Sequence, residues 1–413
     1  MANQFADGRF RMAVGIEDTF VPQVTLGRRS LDEYELIQHY HYWHDDLRLA
    51  RECGATTIRY GLPWYLLNPE RGRFVWDWVD RVVDRLEELG FETIVDLIHY
   101  GCPHWLDNAF LNADYPAAFA EYAARVGERY RGGLTAFTPA NEPIVNAMWC
   151  GELGLWPPYL KGDDGFVKLL RALVRGIVAT QHAVAETTAG EATFVHVESS
   201  FRHAGDRNAV PERSLFLERR SLLAEDLVTG GVDDDHPLAP YLREHGFHDD
   251  DFAWSAQQVA LPDVMGVNYY PHLSTSEFIA GSAVTPQPLR EGGLEGLEDV
   301  LRTHSQRYGC PVFLTETSMV GDHATRIQWL DDSLDLLLRL REEGVDVAGY
   351  TWWPLFHYVD WVYREGERPV AEHLVPMGMY DLRPSSVGVF ERVRTPVVGR
   401  FAERAAELAA QPV

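Results

Sequence analysis

The chain alternates short apolar runs with longer stretches in which apolar residues recur every three to four positions. The runs Arg11–Ile16, Thr57–Leu62, Thr93–His99, Ala136–Asn141, Thr193–Glu198, Val264–Tyr270, Pro311–Thr315 and Val345–Trp352 are rich in Val, Ile, Thr, Phe and Tyr. That composition predicts strands. Between them, Trp76–Leu89 sets Val79, Val82, Val83, Leu86 and Leu89 on one helical face. Ala117–Tyr130, Phe166–Thr187 and Ile327–Glu343 carry the same period. Gly90, Gly190 and Gly344 follow three of these segments. Glycine enters left-handed backbone without steric cost, so they are expected C-terminal caps. Strands separated by helix-sized segments predict an α/β fold, a single (β/α)8 barrel (TIM barrel) over 1–413 with long βα loops. An open doubly wound sheet is the alternative. It would normally place a glycine-rich phosphate turn after the first strand, where this chain reads Glu17-Asp18-Thr19-Phe20.

One region breaks the rhythm. From 201 to 256 the chain is acidic and rich in histidine and proline, with Asp233-Asp234-Asp235-His236 and His245-Gly246-Phe247-His248-Asp249-Asp250-Asp251. These residues lack regular ligand spacing, so a solvated loop is expected rather than a metal site. After a fifth barrel strand such a loop would border the substrate entrance.

Two strands end on glutamate: Phe137-Thr138-Pro139-Ala140-Asn141-Glu142-Pro143 and Val312-Phe313-Leu314-Thr315-Glu316-Thr317. A carboxylate at the end of a buried strand is costly unless it has partners or a task. Two of them, brought to one mouth by a barrel, suit glycosidic bond cleavage. One carboxyl protonates the leaving oxygen; the other attacks or activates water.

Bulk properties narrow the field. The 413 residues, 46% apolar, suffice for the core of one enlarged barrel. A net charge of −25 disfavours nucleic acid and an anionic membrane surface as partners. Cys53, Cys102, Cys150 and Cys310 form neither a CxxC pair nor a metal-ligand pattern. Met1–Phe10 has no apolar leader core, and no stretch is long and apolar enough to span a bilayer. The expectation is a soluble cytoplasmic protein acting on a small-molecule glycoside, without metal or organic cofactor.

In barrels the chemistry gathers at the C-terminal ends of strands. In order, those ends deliver Glu17 and Asp18; Arg59, Tyr60 and Trp64; Asp96, His99 and Tyr100; Asn141 and Glu142; Glu198 and Ser199; Asn268, Tyr269 and Tyr270; Glu316; and Trp352, Trp353, Asp360 and Trp361. Hydroxyl-binding polar groups beside aromatic faces suit a sugar.

At these residues the chain resembles glycoside hydrolase family 1, retaining β-glycosidases in the clan of (β/α)8 barrels with glutamates after strands 4 and 7. Asn141-Glu142-Pro143 is similar to the acid/base motif, Thr315-Glu316 to the nucleophile motif, and Gly266-Val267-Asn268-Tyr269-Tyr270 to the strand-6 signature. Gly349 to Phe356, with Asp360-Trp361, resembles the strand-8 end; Arg59 and His99 fall where the family has an arginine and a sugar-binding histidine. The resemblance implies Glu316 as nucleophile and Glu142 as acid/base. It further implies a substrate pocket of Glu17, Arg59, His99, Asn141, Asn268, Tyr270, Trp353, Asp360 and Trp361. Arg59 is expected to hold Glu316 at a low pKa, Tyr270 to donate to it, and Asn141 to bind the sugar 2-hydroxyl. Asp96 and Glu198 carry no assigned role. Packing roles remain the alternative for His99, Tyr270, Trp353 and Trp361.

Three departures imply an altered sugar pocket. Thr317-Ser318 replaces the Asn-Gly that usually follows the nucleophile, Glu17-Asp18 stands where a glutamine is usual, and Asp360 stands for a glutamate. The Glu17 carboxylate would suit an amino sugar, or else pair with an arginine. A transglycosidase and a non-catalytic sugar-binding barrel are the alternative functions.

Overall fold

A computed structural model describes residues 3–205, 211–278 and 291–410. Eight parallel strands close into a barrel: β1 (Arg11–Gly15), β2 (Thr57–Gly61), β3 (Glu92–Asp96), β4 (Ala136–Thr138), β5 (Thr193–Ser199), β6 (Val264–Asn268), β7 (Val312–Thr317) and β8 (Val347–Trp352). Each pairs with the next, and β8 returns to β1 in the register Arg11 to Gly349. The predicted TIM barrel is therefore the observed fold.

The strands read as continuous apolar runs because both faces are covered; β1, β2 and β5 are buried at every position. Helices cover the outside, among them Asp77–Glu88, whose Val79, Val82, Val83 and Leu86 form the buried stripe. Burying one such side chain stabilises the fold by about 1.5–3 kcal/mol. Gly90, Gly190 and Gly344 have φ of +68°, +74° and +90°. Inside the sheet, Ala13, Ile94, Ala136, Val195, Val264, Phe313 and Ala348 form a separate apolar cluster with Phe5, which meets the Phe313 ring edge-on at 5.8 Å.

Two local features aim side chains at the C-terminal mouth. The predicted third, fourth and sixth strands overran their ladders by two or three residues, into His99, Asn141 and Tyr270. There the chain leaves the sheet and its side chains turn inward. In β7 the register shifts between Leu314 and Glu316 against β6, and between Leu314 and Thr317 against β8. An irregularity of this kind re-aims a side chain, here Glu316.

The segment from 201 to 256 is not a plain loop. It holds the strand Arg202–Gly205, paired with Thr275–Phe278, and the helices Pro211–Ser221, Leu223–Val228, Ala239–Glu244 and Asp249–Gln257. The acidic run that looked like solvated chain starts a helix: Asp249, Asp250 and Asp251 fill its first turn, where negative charge is favoured. Asp251 also accepts from Arg175 at 2.8 Å and Arg171 at 3.1 Å. Among the described residues, no helix is long and apolar enough to cross a membrane.

Candidate active site

Arg59, wholly buried on β2, organises the mouth. Its Nη1 donates to Glu316 Oε1, and its Nη2 to Asn141 Oδ1 at 2.6 Å. Asp96 at the end of β3 grips the same guanidinium through Nε at 3.1 Å and Nη2 at 2.8 Å. The Trp353 ring lies 4.8 Å from its central carbon. A planar fork with five donors satisfies this many acceptors at once, as lysine could not.

Glu316 receives a second donor, the Tyr270 hydroxyl, at 2.7 Å on Oε2. Glu142 faces different partners. The Tyr100 hydroxyl donates to its Oε2, and Asn268 Nδ2 to its Oε1 at 2.8 Å. Asn268 is itself fixed by Thr315 Oγ1, which donates to its Oδ1 at 2.7 Å. The two carboxyl networks meet on Asn141 Oδ1, which accepts from Arg59 and, at 3.3 Å, from Asn268. One continuous set of hydrogen bonds thus joins Glu142 to Glu316.

The backbone at Glu142 sits at φ +42° and ψ +61°. This left-handed region costs a side-chain-bearing residue on the order of 1–3 kcal/mol and persists only where surroundings enforce it. The following helix, Pro143–Asn146, begins with proline, whose fixed φ suits a helix start.

Glu142 and Glu316 are 6% and 4% exposed. Burial pushes Glu316 up to about 8; the Arg59 charge opposes this and the Glu142 charge adds to it. The expectation that Arg59 holds Glu316 low is thereby corrected. Removal from water outweighs one guanidinium whose charge is shared with Asp96. Burial raises Glu142 as well, against the hydrogen bonds of Tyr100 and Asn268.

His99 lies flat on Trp353, with ring centroids 5.6 Å apart and planes 9° apart. Its Nδ1 contacts Asp18 Oδ1 at 2.9 Å and Asp96 Oδ2 at 3.5 Å. Burial alone would lower its pKa, but the charge and contact of Asp18, with Asp96 and Glu17, hold it well above the ordinary value. The Nε2 side works the other way, since Asn141 Nδ2 reaches it at 2.9 Å and donates only to an unprotonated nitrogen. Burial in turn lifts Asp18 to about 6, against the pull of His99. Asp18, Asp96 and His99 bring ligating atoms within 4.8 Å of one another. Arg59 and His99 already answer these carboxylates, so the trio reads as an ion-paired cluster.

Two glycines make room for this packing. A Cβ on Gly61, at the end of β2, would lie 1.5 Å from Asp18 Oδ2, and one on Gly15 would lie 1.9 Å from the Trp353 ring.

Glu17 pairs with no arginine among its hydrogen bonds. Its Oε1 accepts from Thr19 N at 3.1 Å and Thr19 Oγ1 at 2.5 Å, and its Oε2 from Trp353 Nε1 at 2.8 Å. The residues after Glu316 also hold the floor. Thr317 Oγ1 accepts from Trp329 Nε1 at 3.0 Å, and Ser318 Oγ donates to the Trp353 carbonyl at 2.6 Å.

Trp361 joins an aromatic wall. It meets Tyr100 at 5.8 Å, Trp149 at 5.2 Å and Trp156 at 5.1 Å. Asp360 stands apart from the carboxyl networks: its Oδ1 accepts from Val362 N at 3.0 Å and caps the turn Trp361–Glu365. The structure therefore gathers Glu17, Arg59, His99, Asn141, Glu142, Asn268, Tyr270, Glu316 and Trp353, sets Trp361 beside them, and leaves Asp360 on the rim. Site selection from the sequence missed Tyr100, Asp18 and Asp96. Their positions at strand ends were visible, but their partners lie far off along the chain.

A family model described as Glycosyl hydrolase family 1 matches residues 6–211. The chain is a glycoside hydrolase of the family 1 type. A bifunctional β-D-glucosidase/β-D-fucosidase of Bifidobacterium breve is 25% identical over 80% of this chain and 81% of its own length. β-Glucosidase A of Thermotoga maritima is 24% identical over 78% of each. The solved family 1 β-glucosidase of Thermotoga maritima superposes over 100% of both chains with a TM-score of 0.82 at 19% identity, and the same enzyme is known in complex with deoxynojirimycin. Within this family-type barrel, Glu17, Thr317 and Ser318 each hydrogen-bond Trp353, Asp18 contacts His99, Asp360 caps a turn, and both glutamates keep buried, hydrogen-bonded places.

Proposed function

We propose that this hydrolase cleaves a β-O-glycosidic bond by double displacement, with Glu316 as nucleophile and Glu142 as acid/base. The observation that carries the reading is one hydrogen-bonded network that holds two buried carboxyl groups on unlike donors. Glu316 Oε1 faces a guanidinium, which can donate but never accept. Each carboxyl also meets a tyrosine hydroxyl, but Glu142 has the neutral Asn268 amide where Glu316 has the guanidinium, so a proton on Glu142 displaces no direct ion pair. Burial raises both carboxyls, and the charge of one raises the other, so the pair favours one charge over two.

In the first step ionised Glu316 attacks the anomeric carbon while Glu142 gives its proton to the leaving oxygen. Ester formation removes the charge at Glu316. Glu142, now deprotonated, takes a proton from water, which attacks the same carbon from the opposite side and frees Glu316. The net configuration is retained. Asn141 and Asn268, linked to each other between the two carboxyls, are the residues assigned to the sugar beside the reacting bond, and Trp353, stacked on His99, is assigned to its floor. The named relatives make gluco- and fuco-configured β-glycosides the first substrates to try. The unpaired cysteines support a reducing cytosol as the working compartment.

The test is inactivation by a 2,4-dinitrophenyl 2-deoxy-2-fluoro-β-glycoside, followed by peptide mass spectrometry, with the first-formed sugar anomer read by NMR. A label on Glu316 and a β-anomer as first product are expected. An α-anomer or a label on another residue refutes double displacement at Glu316, and no label with no turnover points to a sugar-binding barrel. Products carried onto added alcohols at the expense of water identify a transglycosidase.

A further inference from the structure

Glu198 ends β5, is 1% exposed, and enters no step above. A buried carboxyl without a task is a poor choice for packing, where an apolar residue would cost less. Its contacts are main-chain amides and, at 3.5 Å, the Ser199 hydroxyl. Oε1 accepts from Ser199 N at 2.9 Å and Ile144 N at 3.3 Å, and Oε2 accepts from Ile144 N at 3.2 Å.

Ile144 is the second residue beyond Glu142. The residue between them, Pro143, has no N–H, so Ile144 offers the first amide after the acid/base. On the other side, Glu142 N donates to the Val197 carbonyl and Asn141 N to the Ile98 carbonyl, both at 3.0 Å. Strand β5 therefore grips the chain on both flanks of Glu142: by a main-chain carbonyl before it and by the Glu198 side chain after it. Between the two grips the backbone is left-handed, at φ +42°. A side-chain-bearing residue relaxes from that conformation unless its neighbours are fixed.

We propose that Glu198 is a positioning residue for the acid/base: by fixing the Ile144 amide it holds Glu142 in the left-handed turn that points its carboxyl at Tyr100 and Asn268. This rests on Glu142 being the acid/base. The function asked of Glu198 is that of an acceptor, which glutamine also supplies. The ionisable groups facing it are Glu142 and Glu225, with Tyr308 close by.

The experiment compares Glu198→Ala, Glu198→Gln and Glu142→Ala on aryl β-glycosides with good (2,4-dinitrophenyl) and poor (phenyl) leaving groups. Rates are divided by the active-site titre from the fluoro-sugar inactivator, so misfolded protein does not count. Glu198→Ala should lose about 10- to 100-fold in kcat/KM on the poor leaving group, the scale of a displaced catalytic group, and under about threefold on the good one. Glu198→Gln should restore most of the loss. Equal losses on both substrates, no loss at all, or a glutamine variant as impaired as alanine overturns the proposal. If Glu142→Ala itself shows no leaving-group dependence, the acid/base assignment fails, and the two failures are told apart.

Discussion

Glu142 and Glu316 end strands on different sides of the barrel and are buried to nearly the same degree, yet their oxygens meet different chemistry. Arg59 and Tyr270 attend Glu316; Tyr100 and Asn268 attend Glu142. Burial raises both carboxyls. Depth alone therefore cannot divide the two roles. Both meet a phenol, so the division comes from the other partner: a fixed cation, Arg59, favours the ionised form of Glu316, whereas Glu142 has the neutral Asn268 amide in that place.

The sharpest way to break this comparison is to remove the proton-bearing side. Glu142→Ala should lower kcat/KM on phenyl glycosides by about 10²–10⁴-fold, the usual worth of general acid catalysis, and hardly touch dinitrophenyl glycosides. Added azide should then yield a β-glycosyl azide. Equal losses on both substrates would take the acid role from Glu142.

A smaller effect is expected on the cationic side. In Arg59→Lys a single ammonium cannot serve Asp96, Asn141 and Glu316 together. The guanidinium lowers the Glu316 pKa, so its loss should raise it further. The acid limb of the kcat/KM profile should shift to higher pH, with activity down about 10²-fold at neutrality. Breaking a buried ion pair should also cost about 3–5 kcal/mol in denaturant melts. An acid limb that stays in place would mean that Arg59 does not govern the nucleophile.

Smallest of all is the expected effect of Asp18→Asn, which leaves both glutamates and their donors intact. The Asp18 charge helps hold His99 well above its ordinary pKa, while burial pulls the other way. Without that charge burial gains weight, so the His99 ring should titrate at lower pH in histidine NMR, with only a modest change in kcat. An unmoved resonance would mean that Asp96 and Glu17 suffice to hold the ring.

Much of this was legible in the chain because strands buried on both faces announce themselves as apolar runs, and a barrel puts every strand end at one mouth. Glu142, Glu316, Arg59, Asn268 and Tyr270 follow from that rule together with the family motifs. Asp360, read as a sugar ligand, also caps the turn that follows it, since an aspartate two residues before a free amide closes locally. The acidic stretch at 249–251 looked like solvated loop because acids that start a helix have the composition of acids in water. Tyr100, Asp18 and Glu198 stood in plain sight at strand ends, but a position alone does not name a partner.

By itself, then, the sequence determined the barrel and the two carboxyls, because both depend on local pattern and strand order. Only tertiary structure decided what each carboxyl touches. Arg59 meets Glu316 across 257 residues of chain, and Trp353 meets Glu17 across 336. The pKa of a buried acid is set by such neighbours and by how completely water is excluded, and neither is written in the order of residues.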